Sequence, residues 1–207
     1  MKVSGNLSGN AHIDFISSRL SHVLATIYKL QKSNVPEKVL VTVYKSLFLP
    51  YIDYCSLLWG PMIGSVLIKQ LQIQQNKAIR LIFRLNSRHS NLLPYIRQIN
   101  QFTISEMFFI KMALFAYSTI NELRDNFLQL VLHRALESHS YQTRFATSES
   151  LILRASRTNY GKNFVRHKVI KVWNSIPADV REQACYRAFK NKLQSFVIGN
   201  GVPQICV

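Results

Sequence analysis

Acid is what this sequence has least of: ten Asp and Glu stand against 26 Lys and Arg, leaving a formal charge of +16 over 207 residues. A two-metal nucleotidyl-transfer centre needs clustered carboxylates, and none are present. The closest acidic pairs are Glu122/Asp125 and Asp179/Glu182. The second follows Pro177 at a helix start, where carboxylates favour the dipole; the first reads as solvated. Cysteine is also sparse. Cys55, Cys185 and Cys206 form no CxxC and no metal spacing, so reduced thiols in an intracellular protein are expected. His133 and His139 have no third ligand nearby, which argues against zinc. No GxSxG, Walker loop, GxGxxG or HExxH occurs, so neither a catalytic residue nor a cofactor is expected. Long apolar runs are missing too. Lys111 interrupts the richest stretch, Met107 to Tyr117, well short of the roughly 20 apolar residues of a membrane span. The opening MKVSGNLSGN has no apolar core of a signal peptide.

What remains is enough to fold. Apolar residues make up 48% and aromatics 11%, sufficient for one sizeable core or two small ones. The positive charge is uneven. Residues 1–50 carry +4 (6 basic, 2 acidic) and 51–100 carry +5 (6 and 1). Residues 101–150 carry −1 (4 and 5), and 151–207 carry +8 (10 and 2). Two basic lobes flanking a near-neutral middle suggest two surfaces or sub-domains and a polyanionic partner. Nucleic acid is the first expectation; a membrane surface is the competitor.

Periodicity predicts a mostly α fold. Ile13, Ile16, Leu20, Val23, Ile27 and Leu30 recur at steps of three and four, giving a helix from His12 to Lys32. Pro36 suits the first turn of a second helix through Leu49, which Pro50 interrupts; Gly60-Pro61 stops the resumed segment. Ser65 to Leu85 is a third long helix, followed by a short one at Leu92–Asn100. Ser105 to Leu132 is apolar on more than one side, with a break expected between Asn121 and Asn126. From Ser138 to Lys162 the helical period is lost, and extended chain is expected, with a short strand at Leu151–Leu153. Helices over Asn163–Asn174 and Arg181–Val197 complete the chain.

The sharpest physical signal lies in the third helix. Lys69, Lys77, Arg80, Arg84 and, if the helix runs so far, Arg88 fall within an arc of about 100°. Leu67, Leu71, Ala78, Leu81 and Leu85 occupy the opposite stripe, and no acidic residue lies between Asp53 and Glu106. A basic ridge on a rigid helix suits the tracking of phosphates. An ordinary solvated face is the bland alternative, although such faces normally mix signs. The C-terminal lobe offers Arg154, Arg157, Lys162, Arg166, Lys168 and Lys171, beside Tyr141, Tyr160 and Phe164, which either stack on bases or belong to the core. Trp59 and Trp173 read as core anchors.

Seven stretches occur in a familiar order: His12-Ile13; Leu49-Pro50-Tyr51-Ile52-Asp53-Tyr54-Cys55 to Trp59-Gly60; Leu71 to Arg80; His139-Ser140-Tyr141-Gln142-Thr143-Arg144; Arg157-Thr158-Asn159-Tyr160-Gly161-Lys162; Val172-Trp173-Asn174-Ser175-Ile176-Pro177; and Phe189-Lys190. Together they resemble the C-terminal region of non-LTR (LINE-type, jockey-like) retrotransposon reverse transcriptases. The resemblance implies a linker remnant over 1–11, a helical thumb-like bundle over 12–137, and a smaller, mainly helical basic region with some extended chain over 138–207. It implies an RNA–DNA hybrid or duplex as partner, gripped by its backbone, in agreement with the arc of Lys69, Lys77, Arg80 and Arg84 read from spacing; Arg88, Arg157, Lys162 and Arg166 complete the expected contacts. Tyr51, Tyr54, Trp59, Gly60, Tyr141, Arg144, Trp173, Asn174 and Pro177 would be motif positions of structural character. The fingers and palm with their catalytic aspartates would lie before residue 1, so the chain alone would not polymerise DNA. A structural or interaction module that normally faces the missing palm, and a non-functional element remnant, stand as alternatives.

Overall fold

The first helix, α1 (Asn10–Lys32), buries Ile13, Ile16, Leu20, Val23 and Ile27 on the stripe that their spacing dictates. The computed structural model describes residues 10–86, 91–121, 150–153, 155–158, 161–162 and 164–203. Among these the chain is mostly helical, and the expected strand at Leu151–Leu153 is reduced to an isolated bridge at Leu151. The chain divides into two compact units, residues 1–105 and 106–207. The compositional change at Ser138 lies outside the described residues.

In the first unit Pro50 does not interrupt the second helix. α2 (Glu37–Val43) passes into a π-helical turn, Tyr44–Phe48, and continues as α3 (Leu49–Asp53). Proline lacks an N–H and its ring crowds the carbonyl four residues earlier; the widened turn just before Pro50 relieves both problems. The path breaks instead at Cys55, whose φ of 52° is left-handed. α4 (Ser56–Trp59) follows and ends at Gly60, its C-cap, where the chain passes into a 3-10 turn over Gly60–Met62, so the α-helix stops at Gly60-Pro61 as expected. α5 (Ser65–Ile82) then packs along α1. The Gln70 side chain reaches the Ser17 hydroxyl near the beginnings of both helices, and Arg84 reaches the Val35 carbonyl near their ends. The two helices therefore run parallel, with α2 and α3 making the return. α6 (Leu93–Gln98) closes the unit.

Three helices in this unit end alike. After α1, Val35 N–H bonds to Leu30 carbonyl and Asn34 N–H to Gln31 carbonyl. After α5 the pairs are Leu85 to Arg80 and Arg84 to Leu81; after α6 they are Gln101 to Ile96 and Asn100 to Arg97. These are Schellman caps, each needing one left-handed residue, usually glycine. Here the positions are filled by Asn34, Arg84 and Asn100, with φ of 55°, 52° and 54°.

The second unit begins in α7 (Ile104–Ile120), whose Phe108, Phe109, Ile110, Met112, Ala113, Ala116 and Tyr117 are buried around the helix circumference, as its all-round apolar character predicts. α8 (Val165–Ser175), α9 (Ala178–Arg181) and α10 (Tyr186–Asn200) follow. The single helix expected from Arg181 to Val197 is two, because the chain turns over residues 182–185 before the Cys185 thiol accepts from Ala188 N–H and caps α10. Trp173 and Phe189 lie 5.9 Å apart, and Tyr117 stacks on Phe189 at 4.3 Å. Asn174 reaches back to Leu151, donating to its carbonyl at 2.8 Å and accepting from its N–H at 2.9 Å. One side chain thus satisfies a buried backbone segment as a neighbouring strand would.

Candidate nucleic-acid interface

The rotation of α5 about its own axis decides which residues it offers to solvent. Its buried face is Ile68, Leu71, Gln75, Ala78, Ile79 and Ile82, turned by roughly 60° from the predicted leucine stripe. Leu67, Leu81 and Leu85 are only half-buried. The cause is polar. Gln75 is fully buried, donating to the Tyr44 hydroxyl at 3.0 Å and the Phe102 carbonyl at 2.9 Å. Gln72 donates to Gln75 at 2.8 Å and to Asn76 at 2.9 Å, and accepts from Ile104 N–H at 2.9 Å. Burial pushes the Tyr44 hydroxyl up to about 12, partly offset by Gln75, so it stays protonated as a hydrogen-bonding group. A network that satisfies its buried members tolerates little rotation.

Opposite this pinned face lie Lys69 and Lys77, both exposed. Among the described residues neither forms an ion pair. Arg80 shares their side of the helix but is half-buried and already engaged within the fold. Arg84 departs from expectation. The helix ends at Ile82, so Arg84 stands on the cap rather than on the helical arc, exposed and left-handed. Its guanidinium donates to Val35 carbonyl at 3.5 Å. That contact brings the end of α5 beside the end of α1, whose last turn carries the exposed Lys29 and Lys32. Sequence periodicity missed these two lysines because they belong to a different helix; cations in a last turn also complement the helix dipole. Val66, at 76% exposure, and Ile73, at 54%, sit among the basic residues of the α5 face. The ridge therefore alternates charge with apolar surface.

Arg88, Tyr141 and Arg144 lie outside the described residues, as do His133, His139, Glu122 and Asp125. Tyr51 and Tyr54 are exposed, and the Tyr54 carbonyl accepts from the buried Trp59 indole at 2.7 Å. His12 packs edge-on against Trp59 at 5.4 Å, and burial lowers its imidazole from the ordinary histidine value. Gly60 is buried in the 3-10 turn. Trp173 is core, and Pro177 precedes α9, its carbonyl accepting from Val180 and Arg181. These motif positions with buried side chains are engaged in packing. Asp179, in the first turn of α9, pairs with Lys192 at 3.3 Å. In the second unit Arg157 and Lys162 are exposed and Arg166 half-buried. Among the described residues no group of three or more His, Cys, Asp or Glu is placed to hold a metal, and no helix is long and apolar enough to cross a membrane. No family model, curated protein or solved structure matches the chain.

Proposed function

We propose that this chain holds a polynucleotide by its sugar–phosphate strand, as the thumb-type part of a non-LTR retrotransposon reverse transcriptase, with an RNA–DNA hybrid or duplex as the partner and no catalytic role of its own. The observation that carries the reading is the α5 face: exposed Lys69 and Lys77 on a helix whose rotation is pinned by Gln75, continued by Arg84 at the cap. Rigid placement matters because a lysine or arginine that is already positioned loses less freedom when it meets a phosphate. Arg84 adds weight. It holds a backbone conformation that glycine adopts more cheaply, and strain of that kind collects at functional positions. The family likeness supports the same reading through Leu71 to Arg80, the stretch that builds this face.

A second reading has its own observation. Val66 and Ile73 are exposed apolar side chains within the ridge, which also suits a protein partner such as an adjoining polymerase domain. Two single variants separate the readings in fluorescence anisotropy with a labelled hybrid. Lys77→Glu weakens hybrid binding if the ridge contacts phosphates. Ile73→Glu with hybrid binding intact, together with Lys77→Glu without effect, would favour the protein-partner reading.

A further inference from the structure

The second unit contains a half-open cavity of about 220 Å3, several times the ~30 Å3 share of a water molecule. Ile170 and Phe164 give it an apolar side, and Ser156, Arg166 and His167 supply its polar groups. We propose that this cavity is a phosphate-binding pocket whose ligand is a phosphate group of a polynucleotide strand. It rests on the nucleic-acid reading only for the source of that phosphate; the pocket itself is independent of the α5 ridge.

Three observations support it. The first is charge. Arg154, Arg157, Lys162, Arg166, Lys168 and Lys171 occur between residues 150 and 178, a stretch without a single acidic residue. Of these, Arg166 lines the cavity, and Lys162, Lys168 and Lys171 lie near enough to act on its His167. The imidazole of His167 registers them: it is lowered from its ordinary value first by burial, then by Lys171, Lys168, Lys162 and Arg166. An anion entering the cavity would reverse that repulsion.

The second is geometry. A Cβ at position 161 would collide with the Ser156 hydroxyl, so glycine there lets the 155–158 segment close against the start of the helical region. Thr158 fastens the closure, its hydroxyl accepting from Gly161 N–H at 3.1 Å and its carbonyl accepting from Lys162 N–H at 3.1 Å. Ser156 donates to the Thr158 carbonyl at a long 3.4 Å, a contact its hydroxyl can leave for a stronger acceptor. From the Arg157–Lys162 stretch, Gly161 lines the cavity and Thr158 holds it there.

The third is chemistry. A planar guanidinium, an imidazole and a hydroxyl lining one concavity suit a tetrahedral oxyanion, which offers several acceptor oxygens at once. Ile170, which is buried, keeps one side of the cavity apolar.

The test uses the full chain with isotopically labelled histidine, followed by NMR at fixed pH and ionic strength. Inorganic phosphate, exchanged for chloride, should shift the His167 resonances saturably. Ser156→Ala and Arg166→Gln should each weaken that apparent affinity by roughly tenfold, the effect of one charge-assisted hydrogen bond. A short single-stranded oligonucleotide should displace the phosphate response. In Lys69→Glu/Lys77→Glu the His167 response to phosphate should be unchanged, so failure of the ridge and failure of the pocket are read separately. No saturable shift, or a shift that survives both pocket substitutions, overturns the pocket. A saturable phosphate response that no oligonucleotide displaces overturns the strand as its ligand.

Discussion

Gln75 donates its side-chain amide to the Tyr44 hydroxyl at 3.0 Å, both residues lying wholly inside the first unit. The bond ties α5 to the π turn, and with the Phe102 carbonyl it fixes the face that α5 turns outward. Gln75→Leu would keep the volume but leave the hydroxyl and the carbonyl without this donor. A loss of about 3 kcal/mol is expected, on the scale of two buried groups left unsatisfied. Tyr44→Phe, which leaves Gln75 its carbonyl partner, should lose about 1 kcal/mol. Urea unfolding followed by circular dichroism measures both; equal losses would mean that the network is not what orients the helix.

Arg84 offers the opposite test. It occupies a left-handed cap position, and Arg84→Gly removes the backbone penalty, about 1 kcal/mol, at the expense of an exposed and long contact to Val35. Stability should rise while affinity for the hybrid falls. Thermal unfolding and anisotropy on the same variant read the two effects, and a variant that is less stable or binds equally well would remove the functional explanation for arginine at this site.

In the second unit, the Asn174 side chain bonds both backbone groups of Leu151. Asn174→Ala exposes both backbone groups of a buried residue to an unsatisfied state, for an expected loss of about 2–4 kcal/mol. Asn174→Asp keeps the acceptor and loses the donor, so it should fall between wild type and alanine. Trp173 is the adjacent residue, which makes its fluorescence the natural readout of unfolding.

How much of this the sequence disclosed depends on how local the cause is. The buried stripe of α1 and the shared side of Lys69, Lys77 and Arg80 follow from spacing within one helix. The all-round burial of α7 follows from composition in the same way. Burial of Gln75 does not, because its partners Tyr44 and Phe102 lie 31 and 27 residues away. A glutamine among lysines reads as surface until they are known. Pro50 misleads for a related reason: the penalty it imposes is met by the preceding turn, and no residue in that turn announces a π helix. Arg84 was legible as a cation and illegible as a cap, since Schellman ends are recognised by glycine and here glycine is absent. Within Trp173-Asn174-Ser175-Ile176-Pro177 nothing local marks Asn174 as the partner of Leu151, a contact 23 residues distant.

Acid should weaken the fold. Burial lowers His12, and burial followed by four nearby cations lowers His167, both from 6.5. A base whose folded value is depressed binds fewer protons folded than unfolded, so stability is complete above about pH 6.5 and declines as pH falls through that value toward the lower folded one. Denaturation midpoints between pH 8 and pH 5 should drop, and His12→Asn and His167→Gln should each flatten the profile. A profile unchanged in both variants would place the acid sensitivity elsewhere.

The ridge itself is tested most directly by the salt dependence of hybrid binding. Each phosphate neutralised on a duplex adds about 0.9 to the magnitude of the slope of log affinity against log salt, so Lys69→Glu/Lys77→Glu should flatten it by about 2 or more. Wild-type binding that weakens steeply with salt, beside a visibly shallower line for the folded double variant, is the expected result. Parallel lines, or wild-type binding indifferent to salt, would show that these lysines do not meet a phosphate strand.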